Sequence, residues 1–320
     1  MTLTPEIISL LALDAIFFFF SLIAFFLSVK IYFKWNRAST SVLQYELEKQ
    51  SYLVSVIIKY IFVLKLPLFL FFIFTCDKLS SIITGAMCAA GVINSVSYGL
   101  YLIVFKMLNL YLFGFWLLLH RKDTRNEAQP YVKIKFLFFA LAFFFFIAEI
   151  VLEVSFFASL NISKIVSCCG TLFSATSTSY LSLLFKIDTS LLLGFFYGVF
   201  LIIVLAYFLK NRILFVVANG LFLLFAITSL IVFFSTYIYE LPTHNCPFCL
   251  LQLDYYGIGY LLYISLFIGT FYGFCGVLLD HLTQTPPTTS LNYSLVGNTL
   301  YVLIVTFYTL SYYLKNGVWL

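Results

Sequence analysis

The chain has 320 residues, 63% of them hydrophobic and 10% charged, with a mean hydropathy of +1.06. Soluble domains carry about a quarter charged residues, so this composition excludes a water-covered surface and makes the lipid bilayer the main solvent. The net charge of +5 sits in short loops, which is a pattern of membrane topology and excludes nucleic acid as a partner.

A bilayer core takes about 20 apolar helical residues. Eight stretches are long enough: 7–33, 53–75, 98–119, 136–157, 191–209, 213–237, 256–279 and 295–313. The expected fold is therefore an all-α, polytopic transmembrane helical bundle of about eight spans, forming one integral membrane domain over 1–320. The first stretch has no basic residue ahead of it and no small-residue cleavage pattern, so a retained helix is expected rather than a signal peptide. The polar gaps are too short to fold as a separate soluble core. The segment 38–51 has mixed polarity and reads as a short connecting helix on the inner side.

Orientation follows from the loop cations. Lys34, Arg37 and Lys49 follow the first span; Arg121, Lys122, Arg125, Lys133 and Lys135 follow the third; Lys210 and Arg212 follow the fifth. The alternate loops hold Lys78, then Lys164 and Lys186, and none between Thr236 and Tyr256. Both termini are expected on the outer face, the localisation of the whole being a bacterial inner (plasma) membrane. The stretch 165–185 is moderately apolar but rich in Ser and Thr. A span there would turn Lys210 and Arg212 outward, so an outer, re-entrant or surface-lying loop is expected instead.

Within the spans, ionisable residues are costly and therefore candidate functional groups. Lys65 and Lys106 fall near the bilayer middle, Asp14 in the outer part of the first span, and Glu149 and Glu153 on one face of the fourth. With Lys59 nearer the inner side, three lysines and three carboxylates can balance. The other expectation is a polar chamber holding an anionic or quinone-like ligand, with Glu149 and Glu153 relaying protons and Pro67 kinking the helix beside Lys65. Small residues repeat every four positions at Gly194 and Gly198, and at Ser265, Gly269 and Gly273, with Gly276 nearby. Such ladders let neighbouring backbones approach closely.

Six of the seven cysteines fall on the expected outer face: Cys76, Cys88, Cys168, Cys169, Cys246 and Cys249, with Cys275 toward the inner end of a helix. That compartment is oxidising, so disulfides, redox pairs or soft-metal ligands are expected. The sequence His244-Asn245-Cys246-Pro247-Phe248-Cys249 holds the one Cys-x-x-Cys of the chain. Asn245 is expected to cap a helix with Pro247 in its first turn, which would lower the Cys246 pKa, and His244 would add charge or accept a proton. Met87 beside Cys88, among Gly85, Ala86, Ala89, Ala90 and Gly91, favours soft-metal contact.

The Cys246-Pro247-Phe248-Cys249 sequence resembles the centre of membrane thiol-disulfide oxidoreductases of the vitamin K epoxide reductase and disulfide-bond-formation families. The resemblance covers four residues. It implies a quinone-proximal pair at Cys246 and Cys249, and a loop-borne shuttle pair, Cys76 with Cys88 or Cys168 with Cys169, passing electrons to a soluble periplasmic thiol protein.

Three readings stand side by side. The first is thiol-disulfide exchange, with Cys246 attacking, Cys249 resolving, His244 assisting and a quinone as cofactor. The second is a transporter- or permease-like protein for a soft metal ion or small solute, with Cys246, Cys249, His244 and Cys76 or Cys88 as ligands for copper or zinc. The third is an assembly or scaffold subunit, joined to other membrane subunits and stapled by structural disulfides.

Overall fold

The computed structural model describes residues 4–36, 39, 41–126, 128–161, 166, 187–284 and 288–320. The expected outer loop at 165–185, with Cys168 and Cys169, lies outside the described residues apart from Val166. Among the described residues, eight helices are long and apolar enough to cross a membrane. The protein is an all-α, multi-pass membrane protein. Read from the sequence as one domain, it resolves into two compact units: Met1–Leu79 with Ile93–Lys164, and Ser80–Val92 with Ile165–Leu320.

The first unit contains α1 (Pro5–Lys34), α2 (Val42–Ser80), α4 (Gly99–Thr124) and α5 (Val132–Ser159). The short α3 (Ala89–Asn94) lies where the chain passes between the units. The segment 38–51, expected as a separate connector, is instead mostly the first turns of α2, which runs unbroken from Val42. Its Gln44, Leu47 and Ser51 are buried on the same stripe as the later Val54, Ile58 and Ile61, so packing extends the helix beyond its apolar part. Pro67 lies inside this helix, where it removes one backbone donor without ending it.

The buried positions of α1 are Ile7, Leu10, Asp14, Phe17, Ser21, Ala24, Ser28 and Ile31, spaced alternately three and four apart. That spacing places one narrow seam against neighbouring helices. The run Phe18, Phe19 and Phe20, with Phe26, turns outward instead. The helix thus keeps Asp14, Ser21 and Ser28 on its packed seam and turns phenylalanines to lipid. The same alternation recurs in α5 at Val132, Lys135, Phe139, Ala142, Phe146, Glu149, Glu153 and Phe156.

α5 packs against both α1 and α4. Antiparallel neighbours are fixed at their ends: Lys78 of α2 meets Glu6 of α1 at 2.9 Å, and Lys135 of α5 meets Asp123 of α4 at 2.8 Å, the latter pair buried. Between these ends the core is aromatic, with Phe62 stacked on Phe113 at 4.2 Å and edge-on to Trp116 at 5.5 Å.

The second unit contains α6 (Thr189–Phe208), α7 (Arg212–Tyr239), α8 (Ile258–Leu282) and α9 (Thr288–Asn316). Asp188 caps α6 through Ser190 N at 3.0 Å, and Asn211 caps α7 through Leu214 N at 3.1 Å. Inside α7 and α8 the helical bonding loosens into π turns at Leu230–Phe234 and Tyr272–Gly276. Such turns are not legible from apolar periodicity.

The glycine ladder of α8 acts as expected. A Cβ built on Gly276 would lie 2.9 Å from the Ser290 side chain, and one on Gly269 or Gly273 would collide with Asn298 or Asn219. From α9, a Cβ on Gly297 would meet Gly269 at 2.6 Å. Asn298 and Ser294 donate to Asn219 Oδ1 at 2.8 and 3.2 Å across this close crossing. The ladder of α6 does not act this way. Among the described residues nothing lies within 4 Å of a Cβ built on Gly194 or Gly198, so those glycines bring no backbone close.

Candidate functional site

At one end of the second unit, α7 stops at Glu240, whose φ of +54° turns the chain out of the helix. The loop then carries His244 to Cys249 and passes through two short 3-10 turns, Cys249–Leu251 and Leu253–Tyr255, before α8 begins at Ile258. This corrects the expectation that Cys246 opens a helix. Eight residues, 250–257, lie between Cys249 and the start of α8 at Ile258, Asn245 caps no helix, and the α8 dipole is not available to lower the thiol.

Two tyrosines hold the loop instead. The Tyr239 hydroxyl, at the end of α7, donates to the Cys246 carbonyl, and the Tyr263 hydroxyl, one turn into α8, donates to the Pro247 carbonyl. Gly259 lets α8 pass directly under Leu250, where a Cβ would sit 2.8 Å from the Leu250 carbonyl oxygen. The segment between the cysteines is thereby fixed by groups on both flanking spans.

Cys88 comes from far along the chain, in the segment Ser80–Val92 of the same unit. Gly85 turns that segment with φ +87°, packed against the Val166 backbone. Gln252 Nε2 donates to the Met87 carbonyl at 3.3 Å and ties it to the Cys-Pro-Phe-Cys loop. The Met87 side chain itself is exposed.

The outcome is a cluster of three sulfurs. Cys88 Sγ and Cys246 Sγ are 3.5 Å apart, and the sulfurs of Cys88, Cys246 and Cys249 all lie within 4.8 Å of one another. All three residues are buried. The S–S spacing is well beyond a disulfide bond of about 2.05 Å. It is close to the roughly 3.8–4.0 Å edge that tetrahedral or trigonal coordination at about 2.3 Å per sulfur requires.

His244 is not one of that group, but it flanks it. Its ring meets Tyr239 edge-on at 4.4 Å, and Cys88 is within its electrostatic reach. Burial pushes the His244 pKa down, partly offset by Cys88, so the imidazole is neutral at pH 7. Its Nε2 is buried and makes no hydrogen bond among the described residues. Tyr255, ring to ring with Tyr239 at 4.4 Å, has its hydroxyl pKa raised by burial first and by Cys249 second.

The other expected residues form a separate site inside the first unit. Lys65 Nζ lies 2.6 Å from Asp14 Oδ1 and 3.3 Å from Glu149 Oε1; Lys106 Nζ lies 2.9 Å from the same Glu149 oxygen and 2.6 Å from Glu153 Oε2. Asn109, which the sequence reading passed over, donates to Glu149 Oε2 at 2.5 Å. All six are buried. A cavity of about 10 Å³ opens beside Lys65, Lys106 and Glu149, enough for about one water. It offers no room for the quinone-like ligand expected there.

Lys59 does not join this network. Its side chain is exposed, with Nζ 6.0 Å from the Tyr60 ring. Cys76 sits buried on α2 of the first unit, within electrostatic reach of Glu153 and Lys106. Cys275 lies in the π turn of α8. Comparison with protein families, with curated proteins and with solved structures finds no match.

Proposed function

We propose that this membrane protein binds one soft d10 metal ion, copper(I) or zinc(II), through the thiolates of Cys88, Cys246 and Cys249, with His244 flanking the site. The observation that carries the reading is the three buried sulfurs within 4.8 Å of one another, drawn from two distant segments. Soft thiolates with imidazole select such ions. Lys and Arg gather in alternate loops and none lies between Thr236 and Tyr256, which supports an outer-facing sulfur site that would capture metal at the outer face of the plasma membrane.

Two features support metal over free thiolate chemistry. Neither cysteine-bearing segment, 80–92 or 240–257, contains a Lys or Arg to hold a thiolate. With no helix N-terminus at Cys246 either, a bound cation is the natural counter-charge. A neutral imidazole is also the form that binds metal.

One observation favours a second reading. The 3.5 Å approach of Cys88 to Cys246 suits a relay, in which the Cys88 thiolate attacks Cys246 of a Cys246–Cys249 disulfide. A Cys88–Cys246 bond forms, the Cys246–Cys249 bond breaks, and Cys249 leaves as thiolate with no net oxidation. Such a centre would exchange with a periplasmic thiol protein.

The test uses the full chain, purified reduced in detergent under argon and loaded separately with copper(I) and with zinc(II). Retention of one equivalent of either ion, lost in Cys88→Ser and Cys246→Ser but kept in Cys275→Ser, supports the metal reading and identifies the ion. Metal-free protein in both arms, together with a trapped mixed disulfide in Cys249→Ser, would overturn it in favour of exchange.

A further inference from the structure

Among the described residues, the buried network of the first unit is not balanced. Two ammonium groups, Lys65 and Lys106, face three carboxyls, Asp14, Glu149 and Glu153, all on residues at most 4% exposed. The contributors come from every helix packed around the site: Asp14 from α1, Lys65 and Cys76 from α2, Lys106 and Asn109 from α4, Glu149 and Glu153 from α5. No further cation reaches in among these described residues: Lys59 is exposed, Lys78 pairs with Glu6 and Lys135 with Asp123.

The partners are also unevenly spread. Glu149 is saturated, with both ammonium groups on Oε1 and Asn109 on Oε2. Asp14 and Glu153 each hold one lysine through a single oxygen. Their second oxygens, Asp14 Oδ2 and Glu153 Oε1, are buried and accept no hydrogen bond. Asp14 and Glu153 are also within electrostatic reach of each other. A buried, unmatched carboxylate costs several kcal/mol or more, in general, and is either protonated or ligated.

We propose that the network holds one monovalent cation, a proton or a small alkali ion, on the Asp14 and Glu153 oxygens. This cation completes the charge balance and makes the first unit a cation-binding site in its own right, independent of the sulfur cluster. The roughly 10 Å³ cavity lined by Lys65, Lys106 and Glu149 gives a water a place at the edge of the network.

The experiment has two arms on wild-type protein, and so does not depend on any variant folding. Infrared spectroscopy of the purified protein in detergent reads whether an un-ionised buried carboxyl is present; thermal unfolding in sodium chloride, against equal choline chloride, reads alkali-ion binding. A proton occupant gives the carboxyl stretch, absent from Glu153→Gln or from Asp14→Asn, with equal unfolding in both salts. An alkali occupant gives a rise in unfolding temperature with sodium alone, abolished in the same variants. The proposal is overturned if the wild type has neither the carboxyl stretch nor a sodium effect.

Discussion

Lys106→Met is the sharpest probe of the buried network. Lys106 Nζ holds Glu149 at 2.9 Å and Glu153 at 2.6 Å, both inside the bundle, and the same ammonium lies 4.6 Å from the centre of the Phe72 ring. Methionine keeps most of the side chain's apolar volume and removes the charge. Glu149 retains Lys65 at 3.3 Å and Asn109 at 2.5 Å, but Glu153 loses its one ion-pair partner. Breaking a buried pair by deleting one member costs about 3–5 kcal/mol. An ordinary interhelical hydrogen bond in a membrane is worth only about 0.6 kcal/mol. The two figures separate the readings. At about 2–4 °C per kcal/mol, the expected loss in unfolding temperature is about 6–20 °C for an ion-pair hub and about 1–2 °C for one more hydrogen bond. The assay is thermal unfolding in detergent, with Lys106→Met/Glu153→Gln as the partner variant. Because the double change removes the stranded carboxylate together with its lysine, it should recover more than half of the loss. A shift under 2 °C for Lys106→Met, or a double variant worse than the single, would refute the hub.

The glycines provide a paired test: Gly269→Ala meets Asn298 and the α9 backbone and should lower stability by about 1–3 kcal/mol, whereas Gly198→Ala meets nothing and should be neutral or raise it by about 0.5–1 kcal/mol, both read by thermal unfolding. Tyr263→Phe strips the hydroxyl from the half-buried Pro247 carbonyl, which costs about 1 kcal/mol, and metal affinity should fall about tenfold in a chelator competition. Acidification should release the metal, because each bound thiolate takes up a proton, and the loss should steepen as pH falls. The His244 contribution has its own sign: its folded pKa is depressed, so the stability it gives is present above its unfolded value of about 6.5 and is lost as pH falls below that value, a dependence that His244→Asn should flatten in unfolding measured with and without metal.

The spans were legible because lipid demands long apolar runs, and each of the eight expected stretches overlaps one helix. Helix ends were legible only where polarity changed. α2 begins at Val42 rather than near residue 53 because Gln44, Leu47 and Ser51 continue its packed seam into the polar zone, and hydropathy does not detect a seam. The membrane charges were found singly but not in their pairing. Asp14, Lys65, Lys106, Glu149 and Glu153 each occupy a position on a three-and-four-spaced seam, and that repeat was readable in advance. It would have drawn in Asn109, one turn after Lys106, and left out Lys59, which lies off the seam of α2. Gly194 and Gly198 show the converse: correct spacing, but on a face that meets no neighbour.

The sulfur site was half legible for a different reason. A motif fixes what is close in sequence, so Cys246, Cys249 and His244 could be named together, while the helix start that was to activate Cys246 depended on where α8 begins. Three residues with positive φ or special turns, Glu240, Tyr256 and Gly257, delay that start and convert the loop from a helix cap into a scaffolded turn. This change carries chemical consequences. Without dipole or lysine beside it, a thiolate at Cys246 is poorly stabilised alone, and the approach of Cys88 to 3.5 Å would bring a second thiolate into repulsion with it. Two or three thiolates packed so closely in a buried site need a shared positive charge or a covalent bond, whereas protonated thiols need neither. A metal ion satisfies all three sulfurs at once; a disulfide satisfies two and leaves the third as a thiol. Among the described residues the odd count of clustered sulfurs, together with a neutral imidazole at the rim, supports the proposed metal site over a simple disulfide.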